Sequence, residues 1–166
     1  MRQEILERLM EITPEEQAIL DGKTEVSREL YSGLGKFEID NAKLVERGRY
    51  IAVRPHTRFV DFPEHTHNYI EIMYVCQGTI THYVEGKVLV MEEGDILFLN
   101  QHARHGIRRA GREDIGINFI ALPEFFDIPL SMLHEDNILA DFLVNTLRTS
   151  QVSAEYLLFS PRDNRA

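Results

Sequence analysis

Hydrophobic and polar positions change period twice along this chain. Near its start Ile5, Leu6, Leu9 and Ile12 recur at the spacing of one helix face. The segment "TPEE" follows, with Thr13 as N-cap, Pro14 at the first helical position and Glu16 where a capping box needs its carboxylate. Two short helices are predicted, the second closed by Asp21 and Gly22, since glycine takes the left-handed conformation at least steric cost. From about residue 37 to residue 122 the pattern becomes short runs rich in Val, Ile, Phe and Tyr, broken by "VEGKV", "EEGD" and "RAGRED". This predicts a succession of hairpins. No helical period interrupts them, which argues against parallel βαβ units and for an antiparallel barrel or jelly roll. Beyond it, "EDNILADFLVNTLRT" sets Ile138, Leu139, Phe142, Leu143, Val144 and Leu147 on a broad apolar stripe, with Asp136 or Asn137 available as cap. An amphipathic helix over residues 136–148 is predicted, then a strand at "YLLF" and a linker-like tail "SPRDNRA". The expected fold is mostly β: a helical extension at 1–36, a barrel at 37–122, and a helical segment running into a linker at 123–166.

Composition narrows the function classes. The chain has 166 residues and 43% hydrophobic content, enough for one core. Its formal net charge of -9 suits poorly a surface that must neutralise nucleic-acid phosphates, so direct DNA contact by these residues is disfavoured. A lone cysteine, Cys76, excludes an intramolecular disulfide. The start "MRQEILERLM" is charged and amphipathic, with no run that reads as a signal peptide or membrane span. A cytoplasmic protein with no membrane partner is expected.

The stretch "PEHTHNYIEIMYVCQG" carries the chemistry. Read as a strand, it points His65, His67, Tyr69, Glu71, Met73 and Val75 to one face. Inside a small barrel, three such ionisable groups are costly unless something binds them together. Neutral imidazoles and a carboxylate suit a divalent transition metal, Zn, Ni, Fe or Mn. Farther on, "GDILFLNQHARHGIRR" turns at Gly94 and Asp95, runs as a strand from Ile96 to Leu99, and reaches His102 and His105. His82, in "THYVEG", reads as a histidine of the barrel wall, while His56, His102 and His134 read as surface or turn residues. Cys76 has the opposite parity to Glu71 and points away from the site.

"HTHNYIE" with Gly78 resembles the first cupin motif, and "GDILFLNQHARH" resembles the second, although Asn100 and His102 stand where a proline and a glycine are usual. The resemblance implies a cupin double-stranded β-helix with metal ligands His65, His67, Glu71 and His105. More narrowly, "HNYIEIMYVCQGTITHYVEGK" with "EEGDILFLN" resembles the cupin sensor domain of AraC-type transcriptional regulators. That family implies a small-molecule effector in the barrel, most commonly a sugar, and a homodimer, here through the 136–148 helix; the amphipathic lining beside the ligand set is of the sort that holds a sugar or a small organic acid. It also implies DNA binding only through a helix-turn-helix domain, which is expected outside this chain. Inward neighbours of the ligand set, Tyr69, Met73, His82 and Asn118, are the expected effector contacts. A small metal-dependent cupin enzyme, a dioxygenase or isomerase, would use the same ligands, since they leave open positions on an ion. No second catalytic constellation accompanies them, so no enzymatic activity is expected.

Overall fold

The computed structural model describes residues 3–32, 37–101, 103–126, 138, 141 and 155–161. Helices α1 (Gln3–Met10) and α2 (Pro14–Leu20) open the chain as the pattern predicts. Both halves of the Thr13 and Glu16 capping box form, and Gly22 takes φ 113° after the Asp21 C-cap. A 3-10 turn (Arg28–Leu30) and a single helical turn α3 (Asn41–Leu44), capped by Asp40, follow; the sequence reading did not anticipate either.

Among the described residues, ten strands then build two facing sheets. These are β1 (Glu38–Ile39), β2 (Ile51–Pro55), β3 (Phe62–His67), β4 (Ile70–Gln77), β5 (Thr79–Val84), β6 (Lys87–Glu92), β7 (Ile96–Leu99), β8 (His105–Ile107), β9 (Ile115–Ala121) and β10 (Tyr156–Phe159). One sheet has the order β1-β3-β8-β5-β6 and the other β10-β7-β4-β9-β2. All pairings are antiparallel except β1 with β3. This is the mostly β cupin barrel expected from the motifs.

The connectivity differs from a succession of hairpins. Among the described strands only β5 and β6 are both consecutive and paired, across a tight turn in which Glu85 and Gly86 both have positive φ, as a primed hairpin turn requires. "EEGD" and "RAGRED" instead carry the chain from one sheet to the other. Asp95 binds back to Glu92 in the first, and in the second the Asp114 carboxylate accepts from the Gly111 amide. A turn motif thus shows where a strand ends but not which strand it pairs with next.

The stretch read as one strand is likewise two. β3 ends at His67, the chain bends at Asn68 and Tyr69, and β4 begins in the opposite sheet. Residues 65, 67 and 71 still face inward, because β4 enters with Glu71, Met73 and Val75 on its buried inner face. These residues join Tyr69, Ile80, Val84, Leu97, Leu99 and Ile120 between the sheets. β10, the strand read from "YLLF", pairs with β7 and so adds an edge to the second sheet. Of the apolar stripe, Ile138 is described, helical and exposed; Leu139, Phe142, Leu143, Val144 and Leu147 lie outside the described residues, as do His102 and His134.

Candidate metal centre and ligand cavity

His65 and His105 face each other directly in the β3 and β8 ladder, with ring centroids 4.2 Å apart. Glu71 reaches them from β4 in the other sheet. One ligand atom from each of the three lies within 4.8 Å of the others, and all three side chains are buried. His105 Nε2 stands 3.8 Å from Glu71 Oε2. Two donors on a common ion, each at about 2.1 Å, can be at most about 4.2 Å apart, so small side-chain adjustments would suffice to surround one.

Local contacts prepare the donors. His65 Nδ1 donates to the Pro63 carbonyl at 2.9 Å, which leaves Nε2 with its lone pair. Neither ring nitrogen of His105 has a hydrogen-bond partner among the described residues. Asn100 and Ala103 close the preceding turn with a backbone hydrogen bond of 3.2 Å, so the missing proline and glycine do not prevent His105 from facing inward.

Burial dominates the electrostatics. It pushes Glu71 up to about 7 and His65 down to about 4. His105 is held well below its ordinary value by burial and then by His65, His67 and His82; a loose approach to the Ala103 carbonyl opposes this weakly. The close approach of His105 to Glu71 is therefore no strong ion pair: the imidazole is neutral, and the carboxylate gains nothing from it. Two neutral imidazoles and a carboxylate that burial alone makes costly are a donor set that fits a divalent cation.

His67 stands apart from the expected set of four. Its ring stacks on Tyr69 at 4.6 Å and its Nδ1 is bound to the Tyr69 carbonyl at 2.7 Å, with its centroid 5.3 Å from that of His105. As the last residue of β3 it is oriented by the bend rather than by the ladder.

A cavity of about 40 Å³ opens beside the cluster, and His65 and Glu71 form part of its wall. Tyr69 and Asn118 line it as expected. Met73 and His82 do not: Met73 is packed in the core, and His82 is fully buried with its ring stacked on His105 at 5.8 Å. Arg54, His56, Tyr31 and Thr57 also line the cavity and were missed. Parity hid Arg54: the apolar Val53 beside it is exposed, and Arg54, opposite Asn118, is the residue turned to the cavity. His56 is buried rather than at the surface, its amide bonded to the Gly116 carbonyl. Gly116 makes the room: a side-chain carbon there would lie 3.4 Å from His56 Cβ and 2.5 Å from Ile80 Cδ1. Cys76 is buried away from the site, its thiol pushed up to about 11 by burial.

Comparison with known proteins agrees with the motifs. The family described as AraC-like ligand binding domain matches residues 50–130. Among curated relatives, the HTH-type transcriptional activator RhaS of Escherichia coli O1:K1 / APEC is 36% identical over 55 residues, a match covering 33% of this chain and 20% of RhaS. Among solved structures, wild-type ToxT from Vibrio cholerae strain SCE256 with a bound unsaturated fatty acid is similar at a TM-score of 0.46 and 12% identity, over 70% of this chain and 43% of ToxT. KdgF from Halomonas sp. is similar at a TM-score of 0.41 and 21% identity, over 47% of this chain and 75% of KdgF. No helix among the described residues is long and apolar enough to cross a membrane. The matched residues 50–130 hold the paired histidines and the inward glutamate, so the barrel is similar to the AraC-like ligand-binding domain of AraC-type regulators, and the chain spans about a fifth of the length of the curated relatives it matches.

Proposed function

We propose that this chain senses a small molecule in the barrel cavity, beside a divalent metal held by His65, Glu71 and His105. His67 stands next to the set as a candidate fourth ligand. The observation that carries the reading is the convergence of three buried donors from two sheets on the wall of the cavity. A bound ion would supply Lewis acidity and open positions for an oxygen of the effector. The chain's own residues orient the molecule: Tyr69, Asn118, His56 and Arg54 present polar groups to it, and Phe62 and Ile120 an apolar wall.

The proposal extends to assembly. The stripe of Ile138, Phe142, Leu143, Val144 and Leu147 is wider than one contact needs and is proposed as a two-fold seam. DNA binding is assigned to a helix-turn-helix part outside these residues, in keeping with the net charge of -9. Sedimentation of wild type beside Phe142→Glu, Leu147→Glu tests the seam. A monomeric wild type, or a folded variant that remains dimeric, would reject it.

Catalysis is not proposed: apart from the ligand set, the described acid–base groups of the cavity wall are His56 and Tyr69, assigned here to holding the effector, and Tyr31, whose hydroxyl is bound to Glu15. Screening the metal-loaded protein against small polar metabolites by thermal shift, with recovery of each hit by mass spectrometry, separates the classes. A sensor returns its ligand unchanged. Metal-dependent consumption of a hit, lost on Glu71→Ala, would instead establish a cupin enzyme. A screen without hits would count against the sensor.

A further inference from the structure

We infer that the cavity takes its effector as a small hydroxycarboxylate, whose carboxylate is bound by Arg54. This rests on the effector-binding reading above and adds the charge and chemical class of the molecule.

Arg54 lies on β2 directly opposite Asn118 of β9, and both line the cavity. Its guanidinium carbon stands 5.2 Å from the centre of the Tyr31 ring. Stacking uses the face of a guanidinium and leaves its N–H edge, the fork that matches a carboxylate. No carboxylate lies within ion-pair range of Arg54 among the described residues. Glu15, the acid bound to Tyr31, is occupied otherwise: it accepts from the Tyr31 hydroxyl at 2.6 Å, the Thr57 hydroxyl at 3.3 Å and the Ser27 amide at 3.1 Å. Among the described residues Glu71 is the one acidic side chain of the cavity wall, and it is turned toward His105 in the metal cluster. Arg54 therefore has no anion among the described residues of this cavity.

Two further atoms call for partners. Asn118 Oδ1 and His56 Nε2 are buried without a hydrogen bond among the described residues. Leaving such an atom unpaired forfeits its hydration without a replacement, so a molecule that supplies the partner recovers that loss. Asn118 Oδ1 requires a donor, which a carboxylate cannot be and a hydroxyl can. His56 Nε2 can take part as donor or acceptor according to its tautomer.

Calorimetric titration of the metal-loaded chain tests the inference with matched pairs: glycerate against glycerol, and gluconate against glucose. Glycerate is expected to bind at least tenfold more tightly than glycerol, with affinity falling as salt rises. Arg54→Gln should lose tenfold or more of that affinity, and Arg54→Lys should retain part of it with an unchanged thermal midpoint. Should Arg54→Gln not fold, the Arg54→Lys loss and the salt dependence decide. A neutral polyol that binds as tightly as its acid, indifferent to Arg54→Gln, would overturn the anionic assignment and leave effector binding standing. Acid binding that survives Arg54→Gln unchanged would also overturn it. Binding by none of the four overturns it too, and the metabolite screen described above then judges the sensor reading separately.

Discussion

Glu16 and Arg58, 42 residues apart, meet as a buried bidentate pair: Nε to Oε1 at 2.7 Å and Nη2 to Oε2 at 3.0 Å. Their side chains are 1% and 2% exposed. The remaining capacity of both groups is also used. Arg58 donates to the carbonyls of Met10, Glu11 and Arg112, and Glu16 accepts from the amides of Thr13 and Arg58. One guanidinium thus closes the end of α1, holds α2 and ties both to the loop before β9. The charge also suits the position, since a cation is favoured at a helix C-terminus.

Breaking that pair on one side strands a charge. Arg58→Met is expected to cost about 3–5 kcal/mol in urea unfolding, because Glu16 stays buried without its partner. Arg58→Met with Glu16→Leu should recover most of the loss, since replacing both members of a buried pair by apolar groups is often neutral. A single variant within about 1 kcal/mol of wild type would mean that the N-terminal helices detach at little cost.

Gly78 joins β4 to β5 at φ 73°, and a side-chain carbon there would lie 2.4 Å from Asp114 Oδ1 and 2.8 Å from the Glu113 carbonyl. The same Asp114 carboxylate binds the Thr79 and Gly111 amides, so it cannot swing aside without losing both. Gly78→Ala should therefore cost more than the roughly 1–2 kcal/mol of left-handed backbone strain alone. Thermal unfolding of Gly78→Ala beside Gly86→Ala, which meets nothing within 4 Å at a similar φ, separates clash from strain. Equal losses would remove the role given to Asp114.

Local signals in the sequence were read more reliably than long-range ones. The Thr13 capping box, the Gly22 stop and the β7 strand follow from neighbours in the chain, and each forms as predicted. The jelly-roll crossings do not, because "EEGD" has the same chemistry whether the next strand pairs beside it or in the facing sheet. The site divides in the same way. His65 and Glu71 were named from motif and strand parity and His105 from the motif alone, and the structure brings these three together, whereas Arg54 and His56 reach the cavity through pairing with β9 and through the space at Gly116. No residue adjacent to either in sequence signals that space.

His56 should shape the acid limb of stability. Burial is the main reason it is pushed from 6.5 to about 4; Glu16 and Asp114 raise it and Arg58 lowers it to smaller extents. A depressed folded value means the contribution is fully present above about pH 6.5 and is lost as pH falls toward 4. Glu16 acts lower on the scale: burial raises its carboxyl, but the Arg58 and Thr13 hydrogen bonds bring it below 4.5, so its contribution is lost only under that value. At about 1.4 kcal/mol per tenfold change in proton affinity, His56 accounts for about 3 kcal/mol across this window. His56→Leu should flatten the fall in urea stability between pH 7 and pH 4. Parallel curves for variant and wild type would show that His56 is not buried in its neutral form.

The ligand set makes a prediction with opposite signs for one substitution. Without a cation, burial makes the Glu71 carboxylate costly, with its proton held up to about 7. Glu71→Gln keeps the shape and removes that charge, so in chelator at pH 8 the variant should unfold at a higher temperature than wild type. With added Zn or Mn the order should reverse. Wild type should gain about 2.7 kcal/mol when the free ion is a hundredfold above its dissociation constant, and the variant should gain far less. His65→Ala and His105→Ala should lose the metal-induced gain in the same way, whereas His67→Ala should lose less of it, because His67 lies outside the group whose donors fall within 4.8 Å. Elemental analysis of untagged protein supplies the occupancy that thermal shifts leave open. A wild type that gains nothing from any of Zn, Ni, Fe or Mn, and carries none of them, would reduce the three donors to a polar wall of the effector cavity.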